Sequence, residues 1–171
     1  MYSGILTIGH STRTLEAFIA LLRENGAQWI ADVRSIPRSR HNPQFNRDTL
    51  PESLSAAGIG YSHLAGLGGF RKPRDDSPNT YWKNAAFRGY ADYMQTTQFR
   101  DNLEALLDLA GGKRAAVMCA EAVPWRCHRS LIADALVIRG IRVTHVLAPG
   151  ESMAHALTAG ASVEGGLITY P

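Results

Sequence analysis

The chain has 171 residues, of which 45% are hydrophobic and 19% are charged, and its formal net charge is +3. This composition excludes a disordered chain, and the length fits one α/β domain over residues 1–171. No apolar run approaches the roughly 20 residues of a membrane helix, and the first residues do not form a signal peptide. We therefore expect a cytoplasmic protein with no membrane partner.

The first half of the chain predicts three strands separated by two helices. The apolar runs at 5–8, 29–33 and 59–64 predict the strands. Thr14 is placed to cap the helix after the first strand, and its apolar residues recur at helical spacing. Thr49 and Glu52 match a capping box, which predicts that the Thr49 side chain caps the short second helix.

The second half continues the alternation of helices and strands. Its pattern predicts, in order, helical segments over 84–110 that break near Thr96, a strand at 115–119, a helix at 128–139, a strand at 143–147, a helical turn around 153–157 and an extended segment near 167–170. The alternation indicates an α/β fold, a mostly parallel open sheet of about five strands with helices on both faces.

The chemically reactive side chains follow the carboxyl ends of the predicted strands. They are His10 and Ser11 after the first strand, Arg34 and Arg38 after the second, Gly68 and Gly69 after the third, Cys119 and Glu121 after the fourth, and Cys127, His128 and Arg129 where the next helix begins. Ligands bind at this edge of open α/β sheets. We therefore expect six of them to converge on one cleft, namely His10, Arg34, Cys119, Glu121, Cys127 and Arg129.

The two cysteines are predicted to differ in reactivity. Cys127 precedes a helix and is flanked by Arg126 and His128, so its thiolate should be stabilised and its pKa lowered. Cys119 ends an apolar strand and should be buried and inert. The alternative is that both thiols are inert. We also expect the Glu121 carboxylate to pair with Arg129 or Arg34.

Positive charge is concentrated in residues 34–74. This segment holds six arginines and one lysine against Asp48 and Glu52, a net charge of +5. Such a balance favours an anionic partner, either a phosphate-bearing ligand or nucleic acid, although a solvated basic loop has the same composition. The sequence identifies no cofactor and carries no signal for an oligomeric state.

Three functions remain open on the sequence. In the first, an enzyme holds a phosphate-bearing substrate with its arginines, including Arg71, and uses Cys127 or His128 for chemistry. In the second, a non-catalytic module binds nucleic acid through basic residues interleaved with rings such as Phe45. In the third, a metal or redox sensor uses both cysteines with histidines, although the close Cys-x2-Cys spacing of zinc modules is missing.

Five motifs in this order resemble a bacterial and archaeal family, the domain of unknown function numbered 488. They are TIGHS at 7–11, DVRS at 32–35 followed by Pro37 and Ser39, YxHLxxLGG at 61–69, CAE at 119–121 and CHR at 127–129. The resemblance covers roughly residues 5–147. It implies one α/β domain in a cytoplasmic prokaryotic protein with its site at the strand ends, and it implies no activity.

Overall fold

The computed structural model describes residues 4–171. Its helices are α1 (Leu15–Glu24), α2 (Leu50–Ala56), α3 (Ala85–Tyr93), α4 (Thr97–Ala110) and α5 (Arg129–Val137). Its strands are β1 (Ile5–Gly9), β2 (Trp29–Asp32), β3 (Gly60–His63), β4 (Ala115–Cys119), β5 (Val143–Ala148), β6 (Glu151–Ala154), β7 (Ser162–Glu164) and β8 (Leu167–Thr169).

The main sheet has six strands in the order β3-β2-β4-β1-β5-β6. The first five strands are parallel, and β6 pairs antiparallel with β5 at one edge. The predicted fold class, a mostly parallel open sheet with helices on both faces, is confirmed. The sheet has one strand more than the sequence predicted.

The tail of the chain differs most from the prediction. A helical turn was expected around 153–157, but residues 151–154 form β6, which hydrogen-bonds to β5. The exposed edge of β5 stabilises an extended segment that the local sequence does not specify. The predicted last extended segment is confirmed as β8, which pairs with β7 across Gly165 and Gly166, both at positive φ as a tight hairpin turn requires.

The two predicted helix caps have different outcomes. The Thr14 hydroxyl accepts a hydrogen bond from the Ala17 amide and caps α1 as expected. The capping box at α2 is wrong, because the Thr49 side chain makes no cap hydrogen bond. Its hydroxyl instead donates to the carbonyl oxygens of Pro43 and Asn46. The Thr49 hydroxyl therefore binds the turn that precedes α2 and not, as the capping box predicted, the first turn of the helix.

Each face of the sheet packs against its own set of helices. Side chains of α1 and α2, such as Phe18 and Leu54, form one core with Leu6 and Ile8 of β1. Side chains of α3, α4 and α5 form the second core with the residues of β1 and β4 that point the other way. No helix within residues 4–171 is long and apolar enough to cross a membrane.

The strand order creates an opening at the carboxyl ends of β1 and β4. These neighbours lie in the middle of the sheet, and the chain leaves β1 towards β2 but leaves β4 towards β5. The connecting helices α1 and α5 therefore cover opposite faces. In open α/β sheets, ligand crevices form at the edge where the strand order reverses in this way.

Candidate functional site

A cleft of about 710 Å³ lies at this crevice. Its walls come from the residues after β1, β2 and β4, from the segment around Gly69 and Phe70, and from the start of α3. Of the residues singled out in the sequence, it is lined by His10, Ser11, Arg34, Arg38, Gly69, Cys119, Glu121, Cys127 and His128. Residues up to 118 positions apart in the chain thus share one cavity.

Gly68 and Arg129 are the two predicted site residues that do not line the cleft. Gly68 is buried against the Ser35 side chain, where an added Cβ would lie 2.4 Å from the hydroxyl oxygen. Its lack of a side chain therefore makes room for Ser35. Arg129 is fully buried, with 0% exposure, and lies behind the cleft floor.

The loops after β1 and β4 are joined by their backbones. The amides of His10 and Ser11 donate to the carbonyl oxygens of Cys119 and Ala120, at 2.9 and 3.0 Å. Ser11 adopts a left-handed conformation, with φ of 49°. A Cβ on Gly9 would lie 1.5 Å from the Glu121 carbonyl oxygen, so glycine is required for this close approach. The cleft floor is thus a fixed backbone arrangement, with local strain at Ser11.

Both thiols meet at the cleft floor. The sulphur atoms of Cys119 and Cys127 are 2.8 Å apart, and Cys127 is the hydrogen-bond donor. The Arg129 side chain donates from Nε to the Cys119 sulphur at 3.0 Å, and its backbone amide donates to the Cys127 sulphur at 3.4 Å. Cys119 therefore receives both a thiol hydrogen bond and a guanidinium hydrogen bond.

The structure favours the opposite order of acidity to the one predicted for the two cysteines. Burial raises the pKa of the Cys127 thiol well above its usual value, and the neighbouring Cys119 raises it further. Burial also acts to raise the pKa of Cys119, but hydrogen bonds from Cys127 and the charge of Arg129 outweigh it, and the net shift is downward. A short turn at Pro124–Arg126 precedes Cys127, which lies before the first residue of α5 and points into the core.

Arg129 has no carboxylate partner among residues 4–171. Its Nη1 donates to the Thr7 hydroxyl at 2.7 Å, and its Nη2 donates to the carbonyl oxygens of Glu121 and Ala122. The expected pairing of the Glu121 carboxylate with Arg129 or Arg34 is therefore wrong, because Arg129 binds the Glu121 backbone. The Glu121 side chain is exposed at the cleft.

A chain of buried hydrogen bonds runs from Arg129 across the sheet to α5. Thr7 accepts from Arg129, so its hydroxyl donates to Nδ1 of His145, its neighbour on β5. His145 Nε2 then donates to His155, and His155 donates to the Asp134 carboxylate at 2.7 Å. A donor-only guanidinium at one end and a carboxylate at the other set the direction of every bond.

The histidines beside the thiols are held neutral. Burial lowers the pKa of His128 to about 4. Its Nε2 donates to the Val33 carbonyl oxygen at 3.0 Å, which leaves Nδ1 unprotonated, 3.6 Å from the Cys127 sulphur. An added Cβ on Gly69 would lie 2.8 Å from this nitrogen, so Gly69 makes room for the imidazole. Burial also lowers the pKa of His10.

Arg34 is bound within the protein at the end of β2. Its Nε and Nη2 donate to the two carboxylate oxygens of Asp32 at 2.9 and 2.7 Å, and the Tyr61 hydroxyl donates to the same carboxylate. Its Nη1 lies 3.3 Å from His10 Nε2. The charge of Arg34 is therefore already neutralised inside the fold.

Three further arginines near the cleft differ in whether the protein itself binds their guanidinium groups. Arg38 and Arg126 are exposed at the cleft and make no ion pair within residues 4–171. Arg71, which was expected to hold an anion, stacks on the Tyr93 ring and donates to backbone carbonyl oxygens. Phe45, expected as a stacking ring for nucleic acid, is fully buried against His10.

The family model described as "Domain of unknown function DUF488" matches residues 14–136. The chain belongs to the DUF488 family. No curated protein and no solved structure matches the chain. This family assignment agrees with the resemblance seen in the five motifs and assigns no activity to the site.

Several site residues of this DUF488 chain were missed in the sequence. They are Thr7, Asp134, His145 and His155 of the buried chain, and Ser35, Phe70 and Arg126 at the cleft. Two of them could have been found from the sequence. His145 is a polar residue within an apolar strand, and Asp134 is a charged residue between two alanines on a helix, and both patterns indicate a buried polar group. Within residues 4–171, no three His, Cys, Asp or Glu side chains are grouped to hold a metal ion.

Proposed function

We propose that this protein is a thiol-dependent enzyme that acts on a phosphate-bearing substrate, a nucleotide or a nucleic-acid end, with Cys119 as its reactive thiolate. The observation that carries the proposal is the environment of Arg129. Its guanidinium is fully buried, has no carboxylate partner in the described chain, and donates to the Cys119 sulphur.

The charge balance favours a thiolate at Cys119. A buried cation is costly unless an anion compensates it. The hydroxyl and carbonyl oxygens around Arg129 are neutral dipoles, so Cys119 is the contacting group that can ionise. A thiolate is also the nucleophilic form of cysteine. The protein thus stabilises the reactive form at the position where the cleft reaches it.

The cleft edge supports a phosphate-bearing substrate. Arg38 and Arg126 supply two guanidinium groups without internal partners, and guanidinium groups bind phosphate oxygens in pairs. Ile36 and Phe70 also line the cleft, and the Phe70 side chain is 82% exposed. An exposed ring next to unpaired cations suits a ligand with both a flat ring and a phosphate.

The neighbouring groups have separate roles in this proposal. The Cys127 thiol donates a hydrogen bond to Cys119 and stabilises the thiolate. The unprotonated Nδ1 of His128 lies 3.6 Å from the Cys127 sulphur, and the lowered pKa of this histidine keeps its imidazole neutral beside the thiol pair. His10 and Ser11 line the cleft beside Cys119, where their amides bind the backbone of the loop after β4. We place the protein in the cytoplasm, because a reducing compartment keeps a reactive thiol such as Cys119 available.

A non-catalytic nucleic-acid module is the weaker candidate. Phe45, one of its stacking rings, is buried in the core. Its cations included Arg71, which is bound by Tyr93 and backbone oxygens. The exposed residues Arg38 and Arg40 remain available, but they do not distinguish a binding module from an enzyme.

The first experiment measures alkylation of the reduced full-length protein by iodoacetamide across pH. We expect Cys119 to react faster than Cys127, with a midpoint below the free-thiol pKa of about 8.5. A Cys119 midpoint at or above that value would contradict the proposal. Peptide mass spectrometry separates the two sites, because Arg126 lies between them.

The second experiment tests the substrate class by protection. Adenosine monophosphate and inorganic phosphate are added separately, and we expect the nucleotide to slow Cys119 alkylation more strongly. Replacing both Arg38 and Arg126 by Gln should weaken protection about tenfold or more, as expected for loss of charged hydrogen bonds. Arg40→Gln is the control, because Arg40 is exposed on the same loop but outside the cleft. No protection by either compound would refute the phosphate part of the proposal.

A further inference from the structure

We infer that Cys119 and Cys127 form a reversible intramolecular disulfide, and that hydroperoxides are the class of oxidant that drives it. The inference shares the Cys119 thiolate with the proposed function but requires no substrate. Both cysteines are free thiols in the structure, and they are the two cysteines of the chain. Their sulphur atoms are 2.8 Å apart.

The backbone holds the two sulphurs close enough to bond. A disulfide bond is about 2.05 Å long, so the sulphur atoms must approach by less than about 1 Å. Cys119 is fixed at the end of β4, in the middle of the sheet. Cys127 ends the loop that follows, in which Ala120, Glu121 and Trp125 are exposed. A small side-chain rotation with a loop adjustment therefore forms the bond without moving the sheet.

The surroundings of the pair assign a role to each sulphur. Cys119 is the attacking thiol, because Arg129 stabilises its thiolate and the cleft gives access to it. Cys127 is the resolving thiol, because it remains protonated next to Cys119. With 2% and 5% exposure, neither thiol reaches another protein molecule as easily as it reaches its neighbour. These features favour an intramolecular disulfide over a cross-linked dimer.

The oxidation proceeds in two balanced steps. The Cys119 thiolate attacks the terminal oxygen of a hydroperoxide, an S–O bond forms, the O–O bond breaks, and the departing alkoxide takes a proton from water to become an alcohol. The resulting sulfenic acid is attacked by the Cys127 sulphur, an S–S bond forms, and the departing hydroxide takes the Cys127 thiol proton to become water. The two sulphurs lose two electrons and the hydroperoxide gains two.

The disulfide has a direct consequence for the cleft. It removes the thiolate from Arg129, so the oxidised protein has no nucleophile at the cleft floor. A dithiol reductant restores both thiols by exchange. The pair thereby also protects Cys119 from irreversible oxidation to sulfinic acid.

The test treats the reduced full-length protein with hydrogen peroxide and then blocks the remaining thiols with N-ethylmaleimide. Trypsin cleaves after Arg114, Arg126 and Arg129, so a disulfide links the peptides 115–126 and 127–129. We expect this linked pair to appear at a rate that does not depend on protein concentration, and to disappear with dithiothreitol. Sulfinic acid at Cys119 without linked peptides, or a cross-linked dimer, would overturn the inference.

Cys127→Ser is the matched variant. Without a resolving thiol, Cys119 should proceed to sulfinic acid that dithiothreitol does not reverse. If this variant does not fold, Cys127→Ala and the wild-type linked-peptide measurement provide the test. The outcomes of this test can be distinguished from the outcomes of the nucleotide-protection test of the proposed function. Linked peptides without nucleotide protection support the disulfide alone, and nucleotide protection without linked peptides supports the proposed function alone.

Discussion

The protein contains two buried arginines at neighbouring strand ends, and their partners differ. Arg34, after β2, forms a two-point ion pair with Asp32 that the Tyr61 hydroxyl extends. Arg129, behind the end of β4, binds a hydroxyl, two carbonyl oxygens and the Cys119 sulphur. Arg34 is 7% exposed and Arg129 is 0% exposed, so the more deeply buried guanidinium is the one without a carboxylate.

This difference separates a structural cation from the cation beside the proposed reactive thiol. The Arg34 charge is matched by Asp32, so it fixes the loop after β2 and has little charge left for a ligand. The Arg129 charge is matched only when Cys119 ionises, so it favours the thiolate. Under the proposed function, the position of a carboxylate decides which of the two strand ends holds the reactive thiolate.

The largest expected effect is the loss of stability in Arg34→Met. The substitution leaves the Asp32 carboxylate buried without its cation, which costs about 3–5 kcal/mol. Urea unfolding measures this free energy. A loss below about 1 kcal/mol would show that the Tyr61 hydroxyl and the Arg34 backbone amide alone satisfy Asp32.

Arg129→Met should destabilise the fold less and change the thiol more. It leaves no buried carboxylate, so the cost is that of unpaired hydrogen-bonding groups, about 1–3 kcal/mol. Without the guanidinium the pKa of Cys119 rises, and alkylation near pH 7 should slow about tenfold for each unit of that rise. Unfolding and alkylation are compared with those of Arg34→Met. An unchanged alkylation midpoint would contradict the role of Arg129.

Thr7→Val tests whether the buried hydrogen-bond chain holds Arg129 in place. The substitution removes the hydroxyl between Arg129 and His145 at similar volume, and we expect a loss of about 1–3 kcal/mol in urea unfolding. Thr7→Ser keeps the hydroxyl and loses only a methyl group. If Thr7→Ser costs as much as Thr7→Val, the hydroxyl contributes nothing and the chain does not position Arg129.

The two cysteines should give opposite dependences of stability on pH. The lowered pKa of Cys119 contributes stability that is present above the unfolded value of about 8.5 and is lost as the pH falls through the folded value. The raised pKa of Cys127 contributes stability that is present below about 8.5 and is lost as the pH rises above it.

Urea unfolding at several pH values measures both contributions. The stability of Cys119→Ser should no longer depend on pH below about 8.5, and the stability of Cys127→Ser should no longer depend on pH above that value. Identical pH profiles for the two variants would mean that the pair is not divided into a thiolate and a thiol.

Glu121→Gln should have the smallest effect on stability. The carboxylate is exposed and the buried contact to Arg129 comes from the backbone, so the change in unfolding free energy should stay within about 0.5 kcal/mol. Nucleotide protection of Cys119 should strengthen slightly, because a negative charge leaves the cleft. A loss of more than about 1 kcal/mol would restore a structural role for the side chain.

Much of the arrangement could be predicted from the sequence. Apolar runs and helical spacing predicted the strands and helices up to 147, and the strand ends indicated the cleft edge. The predictions failed where contacts outside the local sequence pattern determine the structure. Residues 151–154 form a strand because the edge of β5 is available, and the Thr49 hydroxyl donates to the carbonyl oxygens of Pro43 and Asn46 in the preceding turn instead of capping α2.

The sequence by itself determined the fold class and which residue types stand at the strand ends, because periodicity and glycine placement act over a few neighbouring residues. Only the tertiary structure decided the chemistry of Cys119 and Cys127. The sequence near Cys127 is rich in cations, but the pKa of a thiol depends on which groups lie close to it in space. The Cys127 thiol and the side chain of Arg129, ten positions after Cys119, both donate to the Cys119 sulphur, and these contacts act to lower its pKa.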